Sequence, residues 1–281
     1  MQTKHLRTWR SFQDELRRLR DKEEKLATRG GVVLSSRLLF RGQANDNWAL
    51  STTLERRYAG EWKWATYMNT VRATAPAVQS LLGRTWKIPS WNETKDWGSA
   101  YDDQMLPIPA YDYWVYLRHH GFPSPLLDWS RSPYVAAFFA FRNLDPKAKR
   151  VAIYCYQEAS DGGKSSSSDR PSIDVHGPYV HSHQRHVLQQ CAYTSCSSFA
   201  DSSWHYAEHD KVFDFNEPTQ DRLWKFTLPI AERLNVLKYL DEHNLTAYSL
   251  FSSEDALLET VALRELEFRH VPVFGISETK T

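Results

Sequence analysis

The chain has 281 residues, 41% hydrophobic and 25% charged, with a net charge of +1 and a pI near 7.8. That length can bury a substantial core in one large domain. The near-neutral balance excludes binding to nucleic acid or an anionic membrane through bulk charge, although a local basic groove stays compatible with it. Aromatic residues are abundant at 14%, including 11 Trp, and supply core volume and stacking surfaces. Three cysteines, Cys155, Cys191 and Cys196, follow no disulfide framework, which fits a reducing compartment. The N-terminus lacks the apolar stretch of a secretory signal and no apolar run reaches membrane-spanning length, so a soluble cytoplasmic protein is expected.

In chain order, Trp9, Phe12, Leu16 and Leu19 recur at helical spacing, which predicts a helix over 8–28 ended by Gly30-Gly31. Residues 32–40 read as strand, and 61–83 as a helix interrupted near Pro76. Residues 84–106 read as irregular, and 108–120 as a helix stopped by Gly121 and Pro123. Leu126 to Ser130 is a short strand. Ser132 and Pro133 open a helix apolar nearly all round, hence buried. Residues 151–157, 185–196 and 223–230 read as strands, 231–244 and 254–268 as helices, and 245–251 as a possible strand. The polar run 158–170 reads as a mobile loop within a single domain spanning 1–281. The pattern predicts an α+β fold, a mixed or antiparallel sheet with flanking helices.

Three stretches offer chemistry. In Phe40-Arg41-Gly42-Gln43 a guanidinium stands at a strand end, suited to phosphate or carboxylate, and the glycine permits close approach of a backbone or a ligand. An ion pair with a core carboxylate is the alternative for Arg41. The second stretch, Leu117 to Phe141, holds His119, His120, Asp128, Trp129 and Ser130. The histidines suit acid–base work, or else cap the preceding helix. The third runs from His181 to Cys196. His181, His183, His186, Cys191 and Cys196 are metal-ligand types, but their spacing fits no standard zinc pattern, and no metal is expected. Gln189-Gln190 is read as lying mid-strand, where buried amides need partners. Gly-x-Ser-x-Gly, Walker and Gly-x-Gly-x-x-Gly motifs are all missing from the sequence.

Together these stretches resemble the FRG-domain family, named for its Phe-Arg-Gly motif, over roughly residues 8–262. Phe40-Arg41-Gly42-Gln43 with Trp48, Leu50, Leu54 and Arg56 is similar to its first motif. Arg118 to Ser130, followed by Ser132-Pro133, Ala136, Phe139 and Ala140, resembles its second, "QHYGLPTRLLDWT-SP-x-x-A-x-x-FA". Arg185, Gln189, Gln190, Cys191, Tyr193 and Thr194 resemble its third, "R-x-x-x-Q-Q-G-x-F-T". The chain departs from the pattern at Arg118 (family Gln), His120 (Tyr), Ser124-Pro125 (Thr-Arg) and Cys191 (Gly).

A weaker resemblance is to the ADP-ribosyltransferase core: an aromatic-Arg-Gly strand end, a Ser-bearing strand leading into an Ala/Phe helix, then a later Glu or Gln. It implies NAD as substrate and an effector acting in bacterial or phage conflict. Arg41, His119, Asp128, Ser130 and Gln189 would be catalytic. Arg41, Gly42, Gln43, His120 and Trp129 would bind NAD, with Arg41 on the pyrophosphate and Trp129 on nicotinamide. Gln189 in the glutamate position would leave Asp128 as the nearest assisting carboxylate. Two other readings stay open: an RNA- or phosphate-processing module using His119 and His120, and a non-enzymatic protein-binding domain using the aromatic segment 84–101.

Overall fold

Short aliphatic runs become strands and amphipathic charged runs become helices, as their periods require. The structure, a computed structural model, describes residues 1–27, 37–58, 60–100, 102–103, 107–143, 145–159, 164, 170–177, 184–213 and 220–269. The first half contains β1 Gln2–His5, α1 Trp9–Ala27, β2 Leu39–Gln43, α2 Thr53–Arg57, α3 Trp64–Leu82, α4 Trp91–Thr94, α5 Tyr111–His119, β3 Leu127–Ser130 and α6 Pro133–Arg142. The second contains β4 Arg150–Ala159, β5 Ser172–His176, α7 Gln184–Leu188, β6 Cys191–Ala200, β7 Ser203–Tyr206, α8 His209–Phe213, β8 Gln220–Pro229, α9 Arg233–Glu242, α10 Ala247–Phe251 and α11 Glu254–Ala262.

The fold is α+β with a mixed sheet, as the pattern predicts. Strand order is β1-β8-β4-β2-β3-β6-β5, with β7 added beside β6. The β1–β8 pair is parallel and the other pairs are antiparallel. Alternation along β4 sends Val151, Ile153 and Cys155 into a core beneath α1, α6 and α9. The intervening Ala152, Tyr154 and Tyr156 enter a second core with Val212 and Phe213 of α8. A third core is aromatic, with Trp64 stacked on Trp97 and on Trp204 at centroid distances of 5.1 and 5.3 Å. Among the described residues no helix is long and apolar enough to cross a membrane. Cys155, Cys191 and Cys196 are buried, and none of the three forms a disulfide.

Three expectations need correction. Helix α3 runs through Pro76 without interruption. Trp64, Tyr67, Met68, Val71 and Ala75 bury its apolar face in the aromatic core, and this packing outweighs the hydrogen bond that proline forfeits. Residues 185–196 are not one strand: α7 and a turn precede β6. Gln189 N–H closes that turn on the Arg185 carbonyl at 2.9 Å, and Gln190 adopts φ 50°. Residues 245–251 are helical because Thr246 caps α10, its Oγ1 accepting from the Ser249 N–H at 3.1 Å. Gly30-Gly31, the start of the 32–40 strand and most of the 158–170 loop lie outside the described residues.

Candidate functional site: an arginine-lined cavity at a split in the sheet

β2 and β3 are neighbours in the sheet, yet they pair at a single position, Phe40 opposite Ser130. Beyond that pair Arg41 Nη1 spans the gap and donates to the Asp128 carbonyl at 2.8 Å. A cavity of about 1110 Å³ opens here, at the upper end of small-molecule sites.

The Phe-Arg-Gly strand end builds one wall. A Cβ on Gly42 would lie 1.9 Å from the Ala136 carbonyl oxygen and 2.6 Å from the Ala140 nitrogen, so the glycine lets the backbone of α6 sit directly on β2. Of the two partners open to this glycine, the structure supplies a backbone. Ser132 caps α6 by accepting from the Val135 N–H at 3.3 Å. Gln43 is buried and holds the following loop by donating to the Ala49 carbonyl at 3.1 Å. Asn45, bonded to Asp145 at 2.7 Å, and Lys225, bonded to the Asp46 carbonyl at 2.5 Å, fix the same loop. Trp48 is thereby held half-exposed at the cavity rim.

Arg118 of α5 and Asp128 of β3 form an ion pair. Asp128 Oδ1 and Arg41 Nε are buried without a hydrogen-bond partner. Burial pushes the Arg41 guanidinium down to about 10; Asp128 opposes that shift, while Arg118 and Arg56 add to it. Two more arginines, Arg56 and Arg185, reach the same cavity, as do Phe139 of α6 and Phe251 of α10.

All five expected catalytic positions, Arg41, His119, Asp128, Ser130 and Gln189, line this one cavity. The Ser130 hydroxyl and the Gln189 amide nitrogen are spent on backbone groups of the wall itself. Ser130 Oγ donates to the Gln189 carbonyl at 2.7 Å and accepts from the Ser132 N–H at 3.0 Å. Gln189 Nε2 donates to the Leu250 carbonyl at 3.0 Å, tying α10 to the cavity floor. These bonds hold the wall together. His119 Nε2 lies 2.8 Å from the Tyr193 hydroxyl, which is 3.0 Å from His186 Nδ1.

Two expected ligand contacts are misplaced. Strand alternation turns the Trp129 indole to the face opposite Asp128 and Ser130, where it is buried and its N–H donates to Thr194 Oγ1 at 2.8 Å. Trp129 is still one of the cavity-lining residues, but an indole only 2% exposed leaves no open face for a ligand to stack on. His120 is exposed beyond the end of α5, packed on Tyr116 at 4.4 Å between ring centroids, and is not among the cavity-lining residues. Trp48 is the rim indole instead, and its place in the first motif was legible. Arg56 was likewise part of that motif, and Arg185 of the third, but neither carried a chemical signal until the fold brought them together.

The FRG-domain family model matches residues 36–149, and this segment of the chain is an FRG domain. It contributes β2, α5, β3 and α6, the elements that frame the split, while α7, β6 and α10 complete the cavity from outside the matched segment. Searches of curated proteins and of solved structures found no match.

Proposed function

We propose that this FRG-domain chain binds NAD, or a related pyrophosphate-bearing ligand, in the arginine-lined cavity. The proposed reaction is ADP-ribosyl transfer or hydrolysis, and the proposed setting is bacterial or phage conflict. One observation carries the reading: among the described residues that line the cavity, Arg41, Arg56, Arg118 and Arg185 face two carboxylates, Asp128 and Asp145. Four cations less two anions leave a formal excess of +2, and Asp145 is further engaged by Asn45. Like charges gathered around a half-buried guanidinium are relieved when a phosphate enters, because guanidinium–phosphate bonds are charge-assisted and bidentate.

The departures from the family pattern support the same ligand class. The arginine missing at Pro125 is offset by one gained at Arg118, and Arg118 lines the cavity beside Asp128. Trp48 offers a stacking face at the rim for a nicotinamide or adenine ring. Asp128, which lines the cavity in an ion pair with Arg118, would stabilise positive charge developing on the ribose as the glycosidic bond breaks. Nicotinamide would leave with the bonding electrons, and water or an acceptor would attack the freed carbon. His119 and His120 do not share the cavity, which weighs against paired-histidine RNA cleavage.

The test is calorimetric titration of the full chain with NAD and with ADP-ribose, beside a thermal melt. Saturating ligand should raise Tm, since a ligand bound only to the native state stabilises it. Arg41→Ala should weaken binding at least about tenfold, as expected for a lost charged hydrogen bond of about 1.5–3 kcal/mol. An unchanged Tm at saturating NAD and ADP-ribose would refute the reading. RNA cleavage without NAD, lost in His119→Ala, would replace it with the phosphate-processing alternative.

A further inference from the structure

We propose that His119, His186 and Cys191 form a binding site for one zinc-class transition-metal ion. Their spacing in sequence conceals the site, because the three residues come from different elements: the end of α5, the middle of α7 and the first position of β6. The fold brings one ring nitrogen from each histidine and the Cys191 sulfur within 4.8 Å of one another. A tetrahedral zinc ion with bonds of about 2.0–2.3 Å has ligand atoms about 3.3–3.8 Å apart, so closure needs movements of about 1 Å.

The surroundings suit the ion. Cys191 and Tyr193 are two apart on β6 and share its face toward α5. The Tyr193 hydroxyl, 2.8 Å from His119 Nε2 and 3.0 Å from His186 Nδ1, stands beside both rings as a neutral oxygen donor. Two imidazoles and a thiol make a donor set of intermediate softness, which selects zinc-like ions over magnesium or calcium. His119 and Cys191 also line the arginine-rich cavity, which gives the ion an entry path. Three protein ligands leave a fourth coordination position for Tyr193 or for solvent. On binding, the Cys191 S–H bond breaks, its proton passes to solvent, and a sulfur–metal bond forms.

The full chain, stripped with a chelator, is titrated with Co(II) and then with Zn(II) in competition. The expected result is one equivalent of Co(II), with tetrahedral d–d bands and a thiolate-to-cobalt charge-transfer band, displaced by one equivalent of Zn(II). Cys191→Ser should remove the charge-transfer band, and His186→Ala should weaken binding at least tenfold. Cys196→Ser should preserve both, since its thiol faces the opposite core. Circular dichroism accompanies every variant. If Cys191→Ser misfolds, the half-exposed His119→Ala decides, and wild-type affinity there overturns the proposal. So does a featureless Co(II) titration of the parent chain, which would leave the quartet as a hydrogen-bonded relay. None of these readouts uses NAD, so the site can fail while the pyrophosphate reading stands, and the reverse.

Discussion

Replacing Gly42 by alanine tests why the motif has a glycine behind its arginine. The added methyl would meet the Ala136 carbonyl oxygen at 1.9 Å, the Ala140 nitrogen at 2.6 Å and the Ala136 carbonyl carbon at 2.9 Å. All three are backbone atoms of α6, so no rotamer change or side-chain truncation relieves the contact. Ordinary contact begins near 3.4 Å, so α6 must retreat from β2 by about 1.5 Å. Its buried face, including Val135, Ala136, Phe138 and Ala140, would be pulled from the core beneath the sheet. Overpacking typically costs about 1–3 kcal/mol, and a rigid backbone obstacle in a buried helix puts this case at the upper end, about 3 kcal/mol. The gain from a less flexible unfolded chain, about 0.4–1 kcal/mol, does not offset it. The net loss is about 2–2.6 kcal/mol, and at about 2 °C per kcal/mol for a chain of this size Tm should fall by about 4–5 °C. The assay is a thermal melt with matched urea denaturation, in which the midpoint falls. Ala136→Gly in the same chain should give no rescue. A Gly42→Ala protein with a Tm equal to or above that of the parent would refute the steric argument and return the glycine to a ligand-facing role.

Other outcomes follow from the same structure. Trp129→Phe should lower stability by about 1–2 kcal/mol through the lost Thr194 hydrogen bond while leaving NAD affinity unchanged, and Trp48→Ala should do the opposite, weakening binding several-fold at constant Tm. His209 is pushed down to about 3, first by burial and then by the Arg41 charge, from an ordinary 6.5. A base held neutral in the fold contributes stability that is complete above pH 6.5 and lost as pH falls toward 3, at up to about 1.4 kcal/mol per pH unit. His209→Gln should flatten that slope in urea titrations at pH 6.5, 5.5 and 4.5. Ser132→Ala removes the α6 cap and should cost about 1 kcal/mol by denaturant midpoint.

Much of the architecture was legible because local signals and tertiary packing agree. Ser132-Pro133 opened α6, Gly121 at φ 85° followed α5, and the aliphatic runs of β2, β3, β4 and β8 lie where their composition put them. Reading failed where they disagree. Pro76 sits inside α3 because five buried residues outweigh one lost hydrogen bond. The turn at Gln190 carries neither glycine nor proline, so nothing local announced it. Thr246 could have been recognised as a cap, but the run Leu245 to Phe251 is too short for periodicity to separate helix from strand.

The site divides the same way. From sequence alone came the residue types and their order: an arginine at a strand end with a glycine behind it, an Asp-Trp-Ser strand leading into a buried helix, a later Arg with a Gln pair. Which of these face one another was decided only by the tertiary structure. Strand alternation separated the Asp128 carboxylate from the Trp129 indole, which is buried on Thr194, and the cavity lies where β2 and β3 meet at a single pair. Four arginines scattered over some 145 residues became one electropositive wall, and His119, His186 and Cys191 became neighbours. A sequence specifies what each side chain can do within a turn or two of its own backbone. Charge accumulation and ligand convergence depend on distances across the sheet, and these exist only once the chain has closed.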